Sequence, residues 1–235
     1  MEDSLTIRAY TKQRRGHAHP HHQLVLPILG TISIELEGYQ GKVSVGECVL
    51  IHQNRFHHYR ANESARFIVA DLQSLPQNLM AMESLVFSIS APLRAYLSFV
   101  EKQLEHRVDT TIENAMVQMF NQLLAQQQAD EQLDPRIRKV LQHIGDDLSV
   151  TFSIEGLARI ACLSSTQFKK VFREATGQSV LKYITALRME KAKALLTHTD
   201  MPVQLISEQV GYSDLSAFSR RFSSFFGVSS RELRG

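Results

Sequence analysis

The sequence predicts an α+β protein with two domains: an antiparallel β-barrel followed by two helices, and a C-terminal all-α domain with two helix-turn-helix units. Three observations predict this. Residues 31–37 alternate strictly between polar and apolar side chains, as in a half-buried strand. After Pro92 the apolar residues recur with the period of a helix. Near the C-terminus the pattern Phe168, Phe172, Gly177 recurs 50 residues later as Phe218, Phe222, Gly227.

Composition and charge favour a folded protein with a polyanionic partner. The chain has 235 residues, enough for two cores, and is 43% hydrophobic and 21% charged. A membrane-spanning helix needs about 18 consecutive apolar residues, and no stretch of this sequence has that many. We therefore expect a cytoplasmic protein with no membrane partner. From residue 134 onward Lys and Arg outnumber Asp and Glu by 15 to 10, whereas the preceding part has 11 against 14. The basic C-terminal part therefore suits DNA phosphates.

The two cysteines predict neither a disulfide framework nor a cysteine-rich zinc site. Cys48 and Cys162 lie in different predicted domains and have no CxxC spacing. We expect both to be buried as small apolar side chains.

The N-terminal region, residues 1–90, predicts a strand-rich domain. Ile32, Ile34 and Leu36 lie on one face of the first clear strand, and residues 38–41 supply a turn to the strand at 42–45. Further short apolar runs follow at 49–51 and 67–70. Several short strands at this spacing favour an antiparallel sandwich or barrel.

Residues 91–128 predict two amphipathic helices. Their apolar positions follow helical spacing: Leu93, Tyr96, Leu97, Val100 and Leu104 in the first, and Ile112, Met116, Met119, Phe120, Leu123 and Leu124 in the second. We expect these helices to form a homodimer interface, although packing on the barrel alone is the alternative. The polar residues 129–134 are then the linker between the domains.

The sequence of residues 135–235 predicts seven helices. Asp134 and Pro135 form a favourable helix start, and Ser153, Ser164 or Ser165, and Ser213 or Asp214 are candidate caps of later helices. Gly177, Gly211 and Gly227 mark helix ends. The spacing predicts two helix-turn-helix units joined by a long helix over about 180–196.

The second helix of each unit has the side chains of a recognition helix. Such a helix needs hydrogen-bonding or cationic tips toward the major groove and apolar side chains toward its partner helix. The outward residues are Thr166, Lys169, Lys170 and Arg173 in the first unit, and Ser216, Ser219, Arg220 and Ser223 in the second. A solvated surface helix would show a similar pattern once, but the duplication favours DNA binding.

The C-terminal hundred residues resemble the DNA-binding domain of the AraC/XylS family of bacterial transcription regulators. The resemblance covers residues 136–234 and rests on matching runs that include 153–158, 164–172, 175–177, 210–213, 218–220 and 226–227. It implies base contacts at Thr166, Lys169 and Lys170, and at Leu215, Ser216, Ser219 and Arg220. Ser230 and Leu233 depart from the family, which usually has Pro and Tyr there. Promoter DNA is the implied partner, with RNA polymerase a further partner if the protein activates transcription.

Seven of the ten histidines lie between His17 and His58. His17 and His19, followed by Gln23 and later by His57, resemble the metal-binding motifs of a cupin barrel. On a strand His17 and His19 point the same way, as joint coordination requires. The resemblance implies a site for zinc, manganese, nickel or iron at His17, His19, Gln23 and His57, although Gln lacks the charge of the usual Glu. It also implies an effector pocket formed by the same residues and by Ile32, Ile34 and Leu50.

Three functions are consistent with these features. The leading prediction is a non-enzymatic, sequence-specific transcription regulator, controlled by a small-molecule effector, with or without a metal, in the N-terminal barrel. The alternative is a cupin metalloenzyme, a dioxygenase or isomerase, with a helical DNA-targeting module. The third is an architectural DNA-binding protein without an effector, which would bind with weak sequence preference.

Overall fold

The computed structural model describes residues 2–9, 16–61, 64–106, 108–128 and 133–234. Strands precede helices along the chain. The strands are β1 (Ser4–Ala9), β2 (His22–Leu29), β3 (Thr31–Leu36), β4 (Tyr39–Ser44), β5 (Glu47–Ile51), β6 (His57–Ala61), β7 (Arg66–Leu72) and β8 (Val86–Ser88). The helices are α1 (Gln77–Met80), α2 (Ala91–Leu104), α3 (Thr110–Leu124), α4 (Pro135–Asp146), α5 (Ile154–Ile160), α6 (Ser165–Thr176), α7 (Val180–His198), α8 (Val203–Gln209), α9 (Leu215–Phe226) and α10 (Ser230–Arg234).

The N-terminal strands form two antiparallel sheets, so the prediction of a closed barrel was wrong. One sheet has the order β1-β7-β2-β5-β8 and the other has the order β4-β3-β6. The chain leaves the first sheet at Gly30, whose φ of +73° directs β3 into the second. A Cβ on Gly30 would lie 3.0 Å from the Ala65 Cα. In the described residues the edge strands of the two sheets do not pair with each other, so the sheets stay open.

The N-terminal domain has three layers: helices α2 and α3, the five-stranded sheet, and the three-stranded sheet. Leu24 and Leu26 of β2 pack in the core shared with α2 and α3, whereas Val25 packs in the core between the two sheets. Both faces of β2 are therefore buried, which explains its continuous apolar run.

The predicted β-hairpin is confirmed. β3 pairs with β4, and Ile32, Ile34 and Leu36 are buried while Ser33 and Glu35 are exposed. The two helices predicted within residues 91–128 are also present, as α2 and α3. Of the predicted linker 129–134, residues 129–132 lie outside the described part of the chain.

The C-terminal domain contains the seven predicted helices, α4 to α10, arranged around two cores. The Asp134 side chain caps α4 and accepts a hydrogen bond from the Arg136 backbone nitrogen at 2.9 Å. The hydrogen bonds from the Arg136 guanidinium to the carboxylate, and then this backbone hydrogen bond, lower the pKa of Asp134. At the second recognition helix, Asp214 rather than Ser213 is the cap. No helix among the described residues is both long and apolar enough to cross a bilayer.

Candidate DNA-binding surface and histidine cluster

The two recognition helices, α6 and α9, are built alike. Phe168 and Phe172 of α6 are fully buried with ring centroids 5.6 Å apart, and Phe218 and Phe222 of α9 are fully buried at 5.7 Å. Each helix ends at a glycine in the left-handed conformation, with φ of +77° at Gly177 and +75° at Gly227. The aromatic pair fixes which face of each helix points outward.

The exposed face of α6 carries three cations. Thr166, Lys169, Lys170 and Arg173 are all exposed. Lys170 lies 3.9 Å from Glu174 in an exposed ion pair, which is weak enough to leave the ammonium available to a phosphate or a guanine. The structure therefore places all four predicted residues of the first unit on one accessible surface.

The exposed face of α9 is less basic. Ser216 and Arg220 are exposed, Ser219 is half-buried, and Leu215 packs partly against the second core. Only part of the Leu215 side chain is therefore free for an apolar contact with a thymine methyl.

Gln167 is an exposed residue of α6 that the sequence prediction did not include. Its Oε1 accepts hydrogen bonds from the Ser164 backbone nitrogen at 3.3 Å and from the Ser164 hydroxyl at 3.0 Å. Ser164 in turn accepts from the Gln167 backbone nitrogen, which completes a capping box. The Ser-x-x-Gln spacing was the signal that could have identified this role.

Three of the predicted histidines form one cluster between the sheets. His17 and His57 pair through their backbones, with N to O distances of 3.1 Å and 3.0 Å. The ring centroid of His57 is 4.4 Å from that of His17 and 5.0 Å from that of His19. One ring nitrogen from each histidine lies within 4.8 Å of the others.

The tautomers of His19 and His57 are set by backbone carbonyls. His19 Nδ1 is 2.8 Å from the His21 oxygen, and His57 Nδ1 is 3.1 Å from the Arg55 oxygen. Because a carbonyl oxygen only accepts, each Nδ1 carries a proton, and in the neutral ring each Nε2 presents a lone pair. Both Nε2 atoms are buried without a hydrogen-bond partner among the described residues. Burial also lowers the pKa of His57, which favours the neutral, ligating form.

The remaining predicted pocket residues have other partners. The Gln23 amide nitrogen donates to Asp71 at 2.7 Å, and His21 Nε2 lies 3.2 Å from the same carboxylate. The His21 ring stacks on that of His19, with centroids 4.2 Å apart, so Gln23 is joined to the cluster indirectly, through Asp71 and His21. Ile32 and Ile34 pack in the core between the sheets. Leu50 belongs to the opposite core, against α2 and α3. The structure therefore brings together the three histidines but does not gather all seven predicted pocket residues around one space.

Comparison with known proteins identifies the C-terminal domain. A family model described as a helix-turn-helix domain matches residues 157–235. The arabinose operon regulatory protein of Escherichia coli K12 is 37% identical over 43% of this chain and 35% of its own length. The regulator YobQ of Bacillus subtilis, described as an uncharacterized HTH-type transcriptional regulator, is 26% identical over 97% of this chain and 91% of its own. The C-terminal domain is therefore similar to the DNA-binding helix-turn-helix domains of AraC-type transcriptional regulators. The C-terminal domain of the response regulator AraT from Geobacillus stearothermophilus is 31% identical over 44% of this chain and 87% of its own, with a TM-score of 0.42.

The similarity to transcription regulators favours regulation over catalysis. The matched relatives are transcription regulators, so the metalloenzyme alternative receives no support. The family model begins at residue 157 and does not reach the N-terminal sheets, whose resemblance to a cupin stays a prediction.

Proposed function

We propose that the protein is an AraC-type regulator that binds promoter DNA sequence-specifically through α6 and α9, and that an effector bound at His17, His19 and His57 controls it. The observation that carries the control is the pair of buried Nε2 lone pairs on His19 and His57. A buried polar atom without a partner is costly, so it points to a ligand that supplies one.

A divalent transition metal ion fits this donor set. Three imidazole nitrogens are a known catalytic-type ligand set, and the carbonyls of His21 and Arg55 orient two of the rings from behind. Such a set leaves a coordination position open, where the ion would act as a Lewis acid toward an oxygen of the effector. Without an ion, the same two Nε2 atoms would accept hydrogen bonds directly from effector hydroxyl or amide groups.

Ion pairs connect the N-terminal domain to the helix that joins the two helix-turn-helix units. Arg66, at the start of β7, lies 3.1 Å from Glu101 and 3.3 Å from Glu105, both at the C-terminal end of α2. It also lies 3.3 Å from Glu190 of α7. Burial raises the pKa of Glu190, and the nearby guanidinium of Arg66 opposes that rise. Because Arg66 joins β7 to α7, a displacement of β7 would act directly on the position of α7.

The first recognition helix is held by the N-terminal domain as well. Arg94 of α2 donates to the Ala175 carbonyl, in the last turn of α6, at 2.9 Å. Gly46, whose φ is +92°, packs closely against the same carbonyl, since a Cβ at position 46 would lie 2.8 Å from the Ala175 oxygen. Leu29 and Val45 complete the first C-terminal core. An effector that favours one arrangement of the sheets would in this way shift the first unit and change DNA affinity.

Removal of one histidine should abolish the metal response. We expect the full-length protein to bind one Zn²⁺ in calorimetric titration, and His19→Ala to weaken that binding at least about tenfold because a ligand is lost. Zn²⁺ should change the DNA affinity of the wild type but not that of His19→Ala. His22→Ala is the matched control, since His22 pairs with His52 outside the cluster. Unchanged Zn²⁺ binding by His19→Ala would refute the assignment.

We also propose that α2 and α3 form the homodimer interface. Phe99 of α2 and Ile112 and Met119 of α3 are large apolar side chains that stay about half exposed. We expect Met119→Glu to shift the protein from dimer to monomer in sedimentation experiments, because it buries a charge at the contact. Met80→Glu, at an equally exposed methionine outside these helices, should leave the dimer intact. Equal behaviour of the two variants would contradict the interface.

A further inference from the structure

We propose that Arg188 sets the distance and angle between the two recognition helices and thereby selects the spacing of the two half-sites that the regulator reads. The inference rests on the sequence-specific binding proposed above. The two helix-turn-helix units have separate cores, and α7 runs through both: Leu187 packs in the first core and Met189 in the second. Arg188 lies between these two residues.

The Arg188 guanidinium donates to backbone carbonyls of both units. Nε donates to the Leu148 oxygen at 3.1 Å and Nη2 to the Val150 oxygen at 2.7 Å, both in the segment before α5 of the first unit. Nη1 donates to the Gly211 oxygen at 3.5 Å, in the turn of the second unit. One side chain thus bridges the segment before α5 of the first unit and the turn of the second unit.

Aromatic rings from both units flank the same guanidinium. Its central carbon lies 5.9 Å from the ring centroid of Phe152, in the first unit, and 5.8 Å from that of Tyr212, in the second. Contacts of this length with a planar cation are attractive and restrict its orientation. The guanidinium therefore has both hydrogen-bond and ring contacts on each side of the junction.

Gly211 shows how closely the two units approach. Its φ is +79°, and a Cβ there would lie 2.5 Å from Arg188 Nη2 and 2.7 Å from the Leu148 oxygen. The turn of the second unit consequently packs directly on the guanidinium and on the first unit. A lysine at position 188 keeps the charge but has a single ammonium, which cannot donate in the fork geometry or stack as a plane.

Half-site spacing is the property that this junction controls. Two recognition helices that enter successive major grooves are about 34 Å apart, and each inserted base pair moves one half-site by about 3.4 Å and rotates it about the DNA axis. A rigid junction can follow an insertion only by deforming DNA, whereas a loose junction follows it at little cost. Arg188 therefore contributes spacing specificity without touching DNA.

The test compares binding to one operator sequence with different numbers of base pairs between its two half-sites. A site selected from a random pool by the full-length wild type is rebuilt with one and two base pairs inserted between its halves. We expect the insertions to weaken wild-type binding at least about tenfold. For Arg188→Lys, the ratio of the affinity at the native spacing to the affinity at an inserted spacing should fall below about threefold, and binding at the native spacing should itself be weaker. Arg159→Lys, an exposed conservative change in α5, should behave as the wild type.

A distance measurement without DNA separates this inference from the DNA-binding proposal. Spin labels at Glu174 of α6 and Ser224 of α9, both exposed, are placed on a Cys162→Ser background. This background is needed because Cys162, which the sequence predicted to be buried, is exposed, whereas Cys48 is buried as expected. We expect a narrow distance distribution for the wild type and a broader one for Arg188→Lys. Phe152→Ala removes one of the two rings, and it should broaden the distance distribution less than Arg188→Lys does. If Arg188→Lys does not fold, the distance distribution of Phe152→Ala tests the proposal in its place. Unchanged distance distributions and an unchanged spacing ratio would overturn the proposal.

Discussion

Replacement of Phe172 by Ala is expected to lower the free energy of unfolding by about 3 to 5 kcal/mol. The Phe172 side chain is fully buried, and its ring packs edge-to-face on Phe168 and on Tyr183, with centroids 5.6 Å and 5.5 Å away. Truncation removes a large apolar area from the first C-terminal core and leaves a cavity that the rigid junction of α6 and α7 cannot fill. Chemical denaturation followed by circular dichroism measures the loss.

Phe225→Ala is the matched control for this prediction. Phe225 lies in α9, near the end of the second recognition helix, but 40% of its surface is exposed. The same truncation should therefore cost no more than about 1 kcal/mol, since less apolar area leaves water on folding. Similar losses for Phe172→Ala and Phe225→Ala would contradict the packing described for the first unit.

Replacement of Lys169 or Arg220 by Ala is expected to reduce the free energy of binding to the selected operator by about 1 to 3 kcal/mol, if each side chain reads a base. Both residues are exposed on the outward face of their recognition helix, opposite its buried phenylalanine pair. Affinity measured on the operator and on single-base variants should show relaxed preference at one position for each substitution. The outward face of α6 carries three cations and that of α9 carries one, Arg220, which predicts that the first unit supplies more of the electrostatic affinity.

Random DNA distinguishes the two roles that these residues can have. An equal loss on operator and on random DNA would reassign the residue to a phosphate contact, with a salt slope reduced by about one. Lys102→Ala is the control, since it removes the same charge from an exposed site in the N-terminal domain. A Lys169→Ala or Arg220→Ala protein that binds both DNAs like the Lys102→Ala protein would contradict the assigned surface.

The recognition helices were predictable because their determinants are local. The spacing of Phe168 and Phe172, the Ser164 cap and the terminal Gly177 all lie within 14 residues, and the same signals recur around α9. The β3–β4 hairpin was predictable for the same reason, since alternation and the turn at Gly38 define it.

The rest of the site depends on contacts between distant segments. Gln23 was predicted as a ligand, but its amide pairs with Asp71, 48 residues away on β7. Leu50 was assigned to the pocket, yet the alternation of β5 and the position of α2 and α3 direct it to the opposite core. The partners of Arg188 come from segments 23 to 40 residues away. Patterns within one segment carry no information about such pairings.

The ratio of affinities for a selected operator and for random DNA, at one fixed salt concentration, tests the central claim most directly. The full-length protein is incubated with a random DNA pool, enriched sequences are recovered, and binding to the best of them is compared with binding to scrambled DNA. Two recognition helices that read bases predict a ratio of at least about a thousandfold. A ratio near one, or no enrichment of any sequence, would show an architectural DNA-binding protein and contradict the account.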